Sequence, residues 1–292
     1  MPTFSTPAPI SATIELVIGD AWITASDRDD TVVDVRPSDG SREPDVRAAE
    51  QTRVEYSGGR LLVKAPKQRG LGLFGKPGSV DVTIALPTGS QLEYDASVTT
   101  LRVVGRVGAC RVKTSAGDLQ LGDTGPLDVS TGAGGVVVEH VAGDADVSTG
   151  SGKIRIGEID GSAVVKNSNG DNWIGAVGGR LRVKTANGDI SVDDARADIA
   201  AATANGDIRI GQVVQGSASL ETGHGRIEIG IRPGTAARLD AHTSFGKVHN
   251  RMDSVNSPQS TDDKVEVRAR TSFGDIVIRR ADSQQSTSGK AE

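Results

Sequence analysis

Short runs in which apolar and polar residues alternate fill the chain from about residue 96 onward. Leu181-x-Val183-x-Thr185, Ile190-x-Val192, Ile208-x-Ile210 and Ile227-x-Ile229 are typical. Apolar residues two apart place one face inward and the intervening polar residues outward, the signature of a half-buried strand. The runs recur inside one phrase: TSAGDLQLG from Thr114, TGAGGVVVE from Thr131, TGSGKIRIG from Thr149, NSNGDNWIG from Asn167, TANGDISVD from Thr185, TANGDIRIG from Thr203 and TGHGRIEIG from Thr222. Two late copies, TSFGKV and TSFGDIVI, start at Thr243 and Thr271. A spacing of 17 to 19 residues is too short for a pair of helices and fits one turn of a strand-built repeat, whose units bury a core only by stacking. Each period holds two clear strands and a weaker third segment near Val107, Ile159, Val177 or Val213. The pattern predicts an all-β protein, a parallel β-helix (β-solenoid) of about 18 residues per coil. The general preference of parallel connections makes it right-handed.

Glycine punctuates this pattern. Gly117, Gly134, Gly152, Gly170, Gly188, Gly206, Gly225, Gly246 and Gly274 form one column between the Thr-bearing strand and the Ile strand, where a tight corner calls for positive φ. Residues 1–95 lack the period but contain strand-like runs, and are expected to form an N-terminal β-rich capping domain over the first coil. Residues 96–280 are the expected solenoid, with a polar insertion Asn250–Lys264 before a final coil Val265–Ile278 whose edge is left unpaired. A disordered tail is expected at 281–292, rich in Ser, Gln and Lys.

Aromatic residues make up only 3% of the chain, as a narrow interior of Val, Ile, Leu and Ala requires. No run approaches the roughly 20 apolar residues that span a bilayer. The opening residues MPTFSTPAPISATIELVIGDAW carry no basic n-region, and Glu15 interrupts their apolar stretch. On this reading the chain is cytoplasmic, and its single cysteine, Cys110, fits a reducing compartment as a small core residue. A net charge of −5 gives no electrostatic reason to bind nucleic acid.

Two groups of residues are candidate binding elements. Residues 64–76 gather Lys64, Lys67, Arg69 and Lys76 with Leu71, Leu73 and Phe74 and no acid. Such a basic and apolar loop suits an acidic partner or peripheral contact with an anionic membrane. GLGLFGK from Gly70 fits the spacing of a phosphate loop, but Pro77 stands where the hydroxyl residue is needed and a strand, not a helix, follows. The second group is the Asn-Gly-Asp column, in which Asp171, Asp189 and Asp207 form an acidic ladder. Hard cations want six to eight oxygens, and the neighbouring copies carry Lys153 and Arg226 instead, so a turn-forming ladder is the simpler reading. One threonine per coil suggests hydroxyls bonded to neighbours, not an ice-binding grid. The four histidines, His140, His224, His242 and His249, form no ligand motif. No spacing isolates a catalytic pair of acids, and neither a metal nor a cofactor is expected.

The serial S/T-x-x-G-D/K-I-x-I phrases from Thr114 to Ile278, Leu86-Pro87 before them and the closing TSFGDIVIRR from Thr271 resemble the bacterial DUF4097 family, a toastrack-type β-strand-repeat family of adhesin candidates. That resemblance implies a β-helical domain without a catalytic signature. The function expected is a non-enzymatic interaction or assembly scaffold, in an envelope-stress or signalling assembly, acting through a protein partner or self-association. The alternative is an adhesin-like surface-binding protein; a polysaccharide-active β-helix enzyme ranks third.

Overall fold

Residues 1–66, 78–252 and 264–281 are described by the computed structural model of the chain. The alternation of the sequence becomes strands of five to seven residues with every second side chain buried, as in Leu127–Ala133 and Leu181–Asn187. The chain is almost entirely β, and it divides into two compact units, Met1–Ile174 and Gly175–Glu292. In each unit the strands sort into two sheets.

In the first unit one sheet runs, neighbour by neighbour, through Thr3–Ser5, Asp30–Pro37, Val80–Pro87, Ala21–Ser26, Leu101–Arg106, Leu119–Thr124, Val136–Val141 and Ile154–Ile159. The other runs through Arg53–Ser57, Arg60–Lys64, Ser11–Glu15, Gln91–Val98, Cys110–Ala116, Leu127–Ala133, Ala145–Ser151 and Ala163–Asn169. Successive repeats contribute one strand to each sheet, pairing in parallel and in register: Cys110 opposite Leu127 opposite Ala145, and Leu119 opposite Val136 opposite Ile154. Equivalent side chains therefore form columns, and the core is a set of Val, Ile, Leu and Ala columns between the sheets.

Antiparallel pairing is confined to the N-terminal end, which makes the sheets mixed. Arg53–Ser57 pairs antiparallel with Arg60–Lys64, and Asp30–Pro37 lies antiparallel to both Val80–Pro87 and Thr3–Ser5. A helix, Glu43–Gln51, packs on the Asp30–Pro37 strand. Its buried Asp45 accepts the backbone N–H of Ser79 at 3.1 Å and pairs with Arg42 at 3.2 Å. The sequence reading contains no helix here, because Val46, Ala48 and Ala49 are too few to draw an apolar stripe.

In the second unit one sheet is ordered Ile190–Ala195, Ile208–Val213, Ile227–Ile231, Ile276–Arg280, Val248–Asn250, and the other Leu181–Asn187, Ile199–Asn205, Gly216–His224, Lys264–Phe273, Ala236–Phe245. The last repeat in sequence is thus not the last in space. Strand Lys264–Phe273 lies between Gly216–His224 and Ala236–Phe245, parallel to both. The edge expected at Val265–Ile278 belongs instead to the earlier copy. The reason is apolar content. Val265, Val267, Ala269, Ile276 and Ile278 are buried, whereas Ala237, Leu239 and Ala241 are half-buried and Val248 is 44% exposed. The richer layer takes the inner place. The first unit shows the same interleaving, since Ser11–Glu15 lies between Arg60–Lys64 and Gln91–Val98.

The turns between the sheets set the spacing. A Cβ at Gly117 would fall 1.6 Å from the carbonyl oxygen of Thr99, and one at Gly206 would fall 2.1 Å from that of Gly188. Both residues have positive φ, +125° and +148°. No side chain fits where one layer's turn carbonyl lies under the next layer's Cα.

Gly206→Ala combines that clash with an unfavourable φ and should cost several kcal/mol. Gly234→Ala, with positive φ but nothing within 4 Å, should cost only about 1 kcal/mol; denaturant unfolding of both variants checks the difference. By the same measurement Val267→Ala in the inserted layer should cost about 2 kcal/mol and Leu239→Ala on the outer strand less, although leucine is the larger residue.

Candidate functional site

The repeated phrase builds its turn from three side chains. Threonine faces inward at the end of its strand and is buried at Thr114, Thr131, Thr149, Thr185, Thr203, Thr222 and Thr271. Thr203, Thr222 and Thr271 donate to the carbonyls of Gly188, Gly206 and Gly225, at 3.1, 2.9 and 3.1 Å. Thr114 donates instead to Thr131, and Thr131 to the carbonyl of Ala133, but at these three positions the column ties the turn to the glycine of the adjacent layer. Asn167, which replaces threonine in one copy, does the same: its Nδ2 donates to the carbonyls of Gly152 and Gly170 at 2.9 and 3.0 Å.

The aspartate after the glycine faces solvent. Asp118, Asp189, Asp207 and Asp275 each place Oδ1 on the backbone N–H of the equivalent residue one layer away: Gly135, Asp207, Arg226 and Lys247, at 2.7 to 2.9 Å. Asp171, in the first unit, pairs with Lys153 at 3.6 Å. Asp189 and Asp207 lie in the second unit. At least one oxygen of each is engaged by the protein. Among the described residues no group of three or more His, Cys, Asp and Glu side chains is placed to hold a metal ion.

Of the basic and apolar loop, Lys67, Arg69, Leu71, Leu73, Phe74 and Lys76 lie outside the described residues, as do residues 253–263 of the polar insertion and residues 282–292 of the tail. Lys64, at the loop's base, pairs with Glu15 at 2.6 Å. Cys110 is buried, and burial pushes its thiol up to about 12, so it is protonated and unreactive at neutral pH.

Sequence reasoning misses a shallow trough of about 190 Å³ on the solvent face of the second unit. Its floor is Ala200 and Ala202; Arg182 and Lys184 form one wall, Ser219 and Glu221 the other. Register explains the shape. Arg182 is opposite Ala200, which is opposite Ser219; Lys184 is opposite Ala202, which is opposite Glu221. A strand with methyl groups at both outward positions lies between strands that present Arg182 and Lys184 on one side and Ser219 and Glu221 on the other. Neither Arg182 nor Lys184 has an ion-pair partner among the described residues. The signal is present in sequence as the run Ala200-Ala201-Ala202, one repeat after Arg182-Val183-Lys184, but only pairing in register brings the two together.

A second surface feature lies near the C-terminal end. His224, Phe273 and Phe245 occupy the same turn position in three paired strands, and their rings stack with centroids 4.8 and 4.9 Å apart and planes within 6°. Phe245, on the outermost strand, is 67% exposed.

A family profile, Toastrack DUF4097, matches residues 19–279. The chain belongs to the DUF4097 toastrack family. Solved structures similar to this DUF4097 chain include an adhesin candidate from Bacteroides fragilis, 13% identical, with 95% of each chain covered and a TM-score of 0.34. Another is a candidate cell adhesion protein from Clostridium sporogenes, 11% identical over 96% of this chain and 98% of that one, TM-score 0.20. A third is an adhesin candidate from Parabacteroides distasonis, 12% identical over 94% and 95%, TM-score 0.30. Among curated proteins none matches the sequence. One expectation is corrected here. The cytoplasmic placement is not retained: it rested on compositional signals alone, and the solved structures similar to the chain bear the names of adhesin candidates. The lone cysteine that supported it is silent on compartment, since one buried thiol cannot form a disulfide within the chain on either side of a membrane. No helix among the described residues is long and apolar enough to cross a membrane.

One carboxylate of the family's stacked turns is tuned by its contacts. Asp198 accepts the backbone N–H and the hydroxyl of Ser217, both at 2.9 Å, and Arg180 at 3.2 Å. The hydrogen bonds from Ser217, helped by Arg180, hold its carboxyl below the usual carboxylate range. A depressed folded-state value contributes stability above about pH 4 that is lost as pH falls through the lower, folded value. Thermal unfolding between pH 6 and about pH 2.5 should show Asp198→Asn less stable than wild type at the upper end, with the gap closing toward the lower.

Proposed function

We propose that this DUF4097 chain is a non-enzymatic, adhesin-like surface-binding protein whose two sheets are the walls of a parallel β-solenoid, and that its partner is an extended acidic segment of another protein. The trough of the second unit carries this reading. Outward residues of a strand repeat every two positions, roughly 6.8 Å apart, and that is the separation of Arg182 from Lys184 along their strand. Alternate side chains of an extended peptide have the same repeat. A peptide lying along the Ala200–Ala202 floor would thus present carboxylates at two successive alternate positions to the guanidinium and the ammonium, while Ser219 and Glu221 meet its donors from the other wall.

The regular surface supports the same reading. Stacked layers hold outward side chains at about 4.8 Å steps between strands, a rigid presentation with little entropy to lose on binding. Electrostatics sets selectivity, because the overall charge of −5 repels polyanions except where local cations gather. The scaffold function expected from the sequence differs in its placement, not in its physics, since both roles rest on recognition without chemistry.

The test is binding of a labelled peptide with aspartate at alternate positions, against a scrambled-charge peptide and a soluble polyuronate, measured by fluorescence anisotropy. The alternating peptide should bind in a salt-sensitive manner. Arg182→Glu with Lys184→Glu should weaken it by about a hundredfold, on the order of 1 to 2 kcal/mol per charged contact. Ala202→Trp, which fills the floor, should abolish it with the fold intact. Tighter binding of the polyuronate than of any peptide would replace the protein partner with a glycan; no binding by either would sink the trough as the site.

A further inference from the structure

The two units treat their outermost strands differently. In the first, the parallel layers are closed by antiparallel strands, Arg53–Ser57 on one sheet and Asp30–Pro37 followed by Thr3–Ser5 on the other. In the second, the outermost strands are Ala236–Phe245 and Val248–Asn250, and among the described residues nothing pairs beyond them. Ala236–Phe245 has ten residues, and its inward positions Ala237, Leu239 and Ala241 are half-exposed. A long open edge of this kind is a template for another strand.

The charges on this edge say which strand fits. On the solvent face, Arg238 lies opposite Glu266 and Asp240 opposite Arg268, and Asp240 also pairs with Arg270 at 3.7 Å. Across the existing strand pair the signs alternate. We propose that the strand completing the edge is Ala236–Phe245 of a second copy of this chain, paired antiparallel about a two-fold axis at Leu239. In that register Arg238 faces Asp240 of the second copy, and Asp240 faces its Arg238. The rows then read Glu266, Arg238, Asp240, Arg268 across the interface, with alternation unbroken. On the inner face Leu239 meets its own copy and Ala237 meets Ala241, so that the half-open core layer is closed by its equivalent.

The neighbouring registers do not do this. Centring on Asp240 places two aspartates opposite each other, which is destabilising. Centring on Ala241 places Arg238 opposite Ser244 and leaves the guanidinium without an acid. A two-fold contact is isologous and closes at two copies, so the edge would be consumed instead of propagating into a fibre. This inference goes beyond the trough and holds or fails independently of it.

The experiment uses the full chain and sedimentation velocity across a concentration series. Wild type should show a reversible monomer–dimer equilibrium. Arg238→Asp leaves only acids at the two positions and Asp240→Arg only bases, so each variant alone should dissociate at least about tenfold more readily. An equimolar mixture of the two should recover the dimer as a heterodimer, seen by labelling one of them. Circular dichroism and unfolding midpoints monitor folding of each variant. If Asp240→Arg fails to fold, Asp240→Asn replaces it, with a smaller weakening expected. A wild type that remains monomeric, a dimer indifferent to both charge reversals, or a mixture that does not re-associate would each overturn the proposal.

Discussion

Everything in this protein depends on how closely two layers approach at the turn. The carbonyl oxygen of one turn lies where the Cβ of the next would be, at 1.6 Å for Gly117 and 2.1 Å for Gly206. That approach permits parallel in-register pairing to continue around the turn. It also brings the buried hydroxyl of Thr203 onto a glycine carbonyl and the exposed Asp189 onto a backbone N–H. Turns of this kind satisfy backbone groups that a looser loop would have to expose to water. The small aliphatic core follows, because layers at strand spacing leave room for one column of Val or Ile per inward position. The trough follows as well, because register places Ala200 and Ala202 between Arg182 and Lys184 on one side and Ser219 and Glu221 on the other.

Much of this was legible in the sequence. Alternation identified the strands of the repeats, and the recurring phrase with its glycine column showed that they stack. The inward threonine and the buried Cys110 sit as alternation implies. Other features were not legible, for reasons that can be named. Residues 11–15 and 21–26 with 60–64 and 80–87 carry the same two-sheet layering as the repeats, but the sequence there lacks the Thr-x-x-Gly phrase. The helix Glu43–Gln51 has too little apolar periodicity to register. The spatial order of the C-terminal strands reflects competition for burial between two layers, and local pattern does not report competition. The trough depends on neighbours 18 and 19 residues apart, visible only once register is known. The cytoplasmic placement rested on compositional signals that bear weakly on export.

The balance between repetition and exception is informative. Where the phrase is intact, one layer resembles the next and the surface is an alternating field of small and charged residues. Where it departs, something particular occurs. Asn167 replaces threonine and keeps the glycine contacts through an amide. The run of three alanines opens the trough. The late TSFG copies, with His224, place aromatic rings at a turn position that elsewhere carries Ala, Ser or Asn, and those rings stack at the outer strands.

The interleaved order of the terminal strands has a consequence for how such a chain changes length over evolutionary time. Among the described residues, neither the first parallel layer in sequence nor the last is outermost in its unit: each sits inward, clamped between layers that sequence would put on one side of it. A duplicated repeat appended after Arg280 would follow a layer already paired on both sides, and one placed before Ser11 would meet a strand in the same position. Duplication or loss of one phrase between residues 107 and 213 disturbs neither clamp. Growth by internal duplication leaves the two interleaved sets fixed at the ends of the sequence, so the number of repeats is free to drift while the closing arrangements are inherited whole.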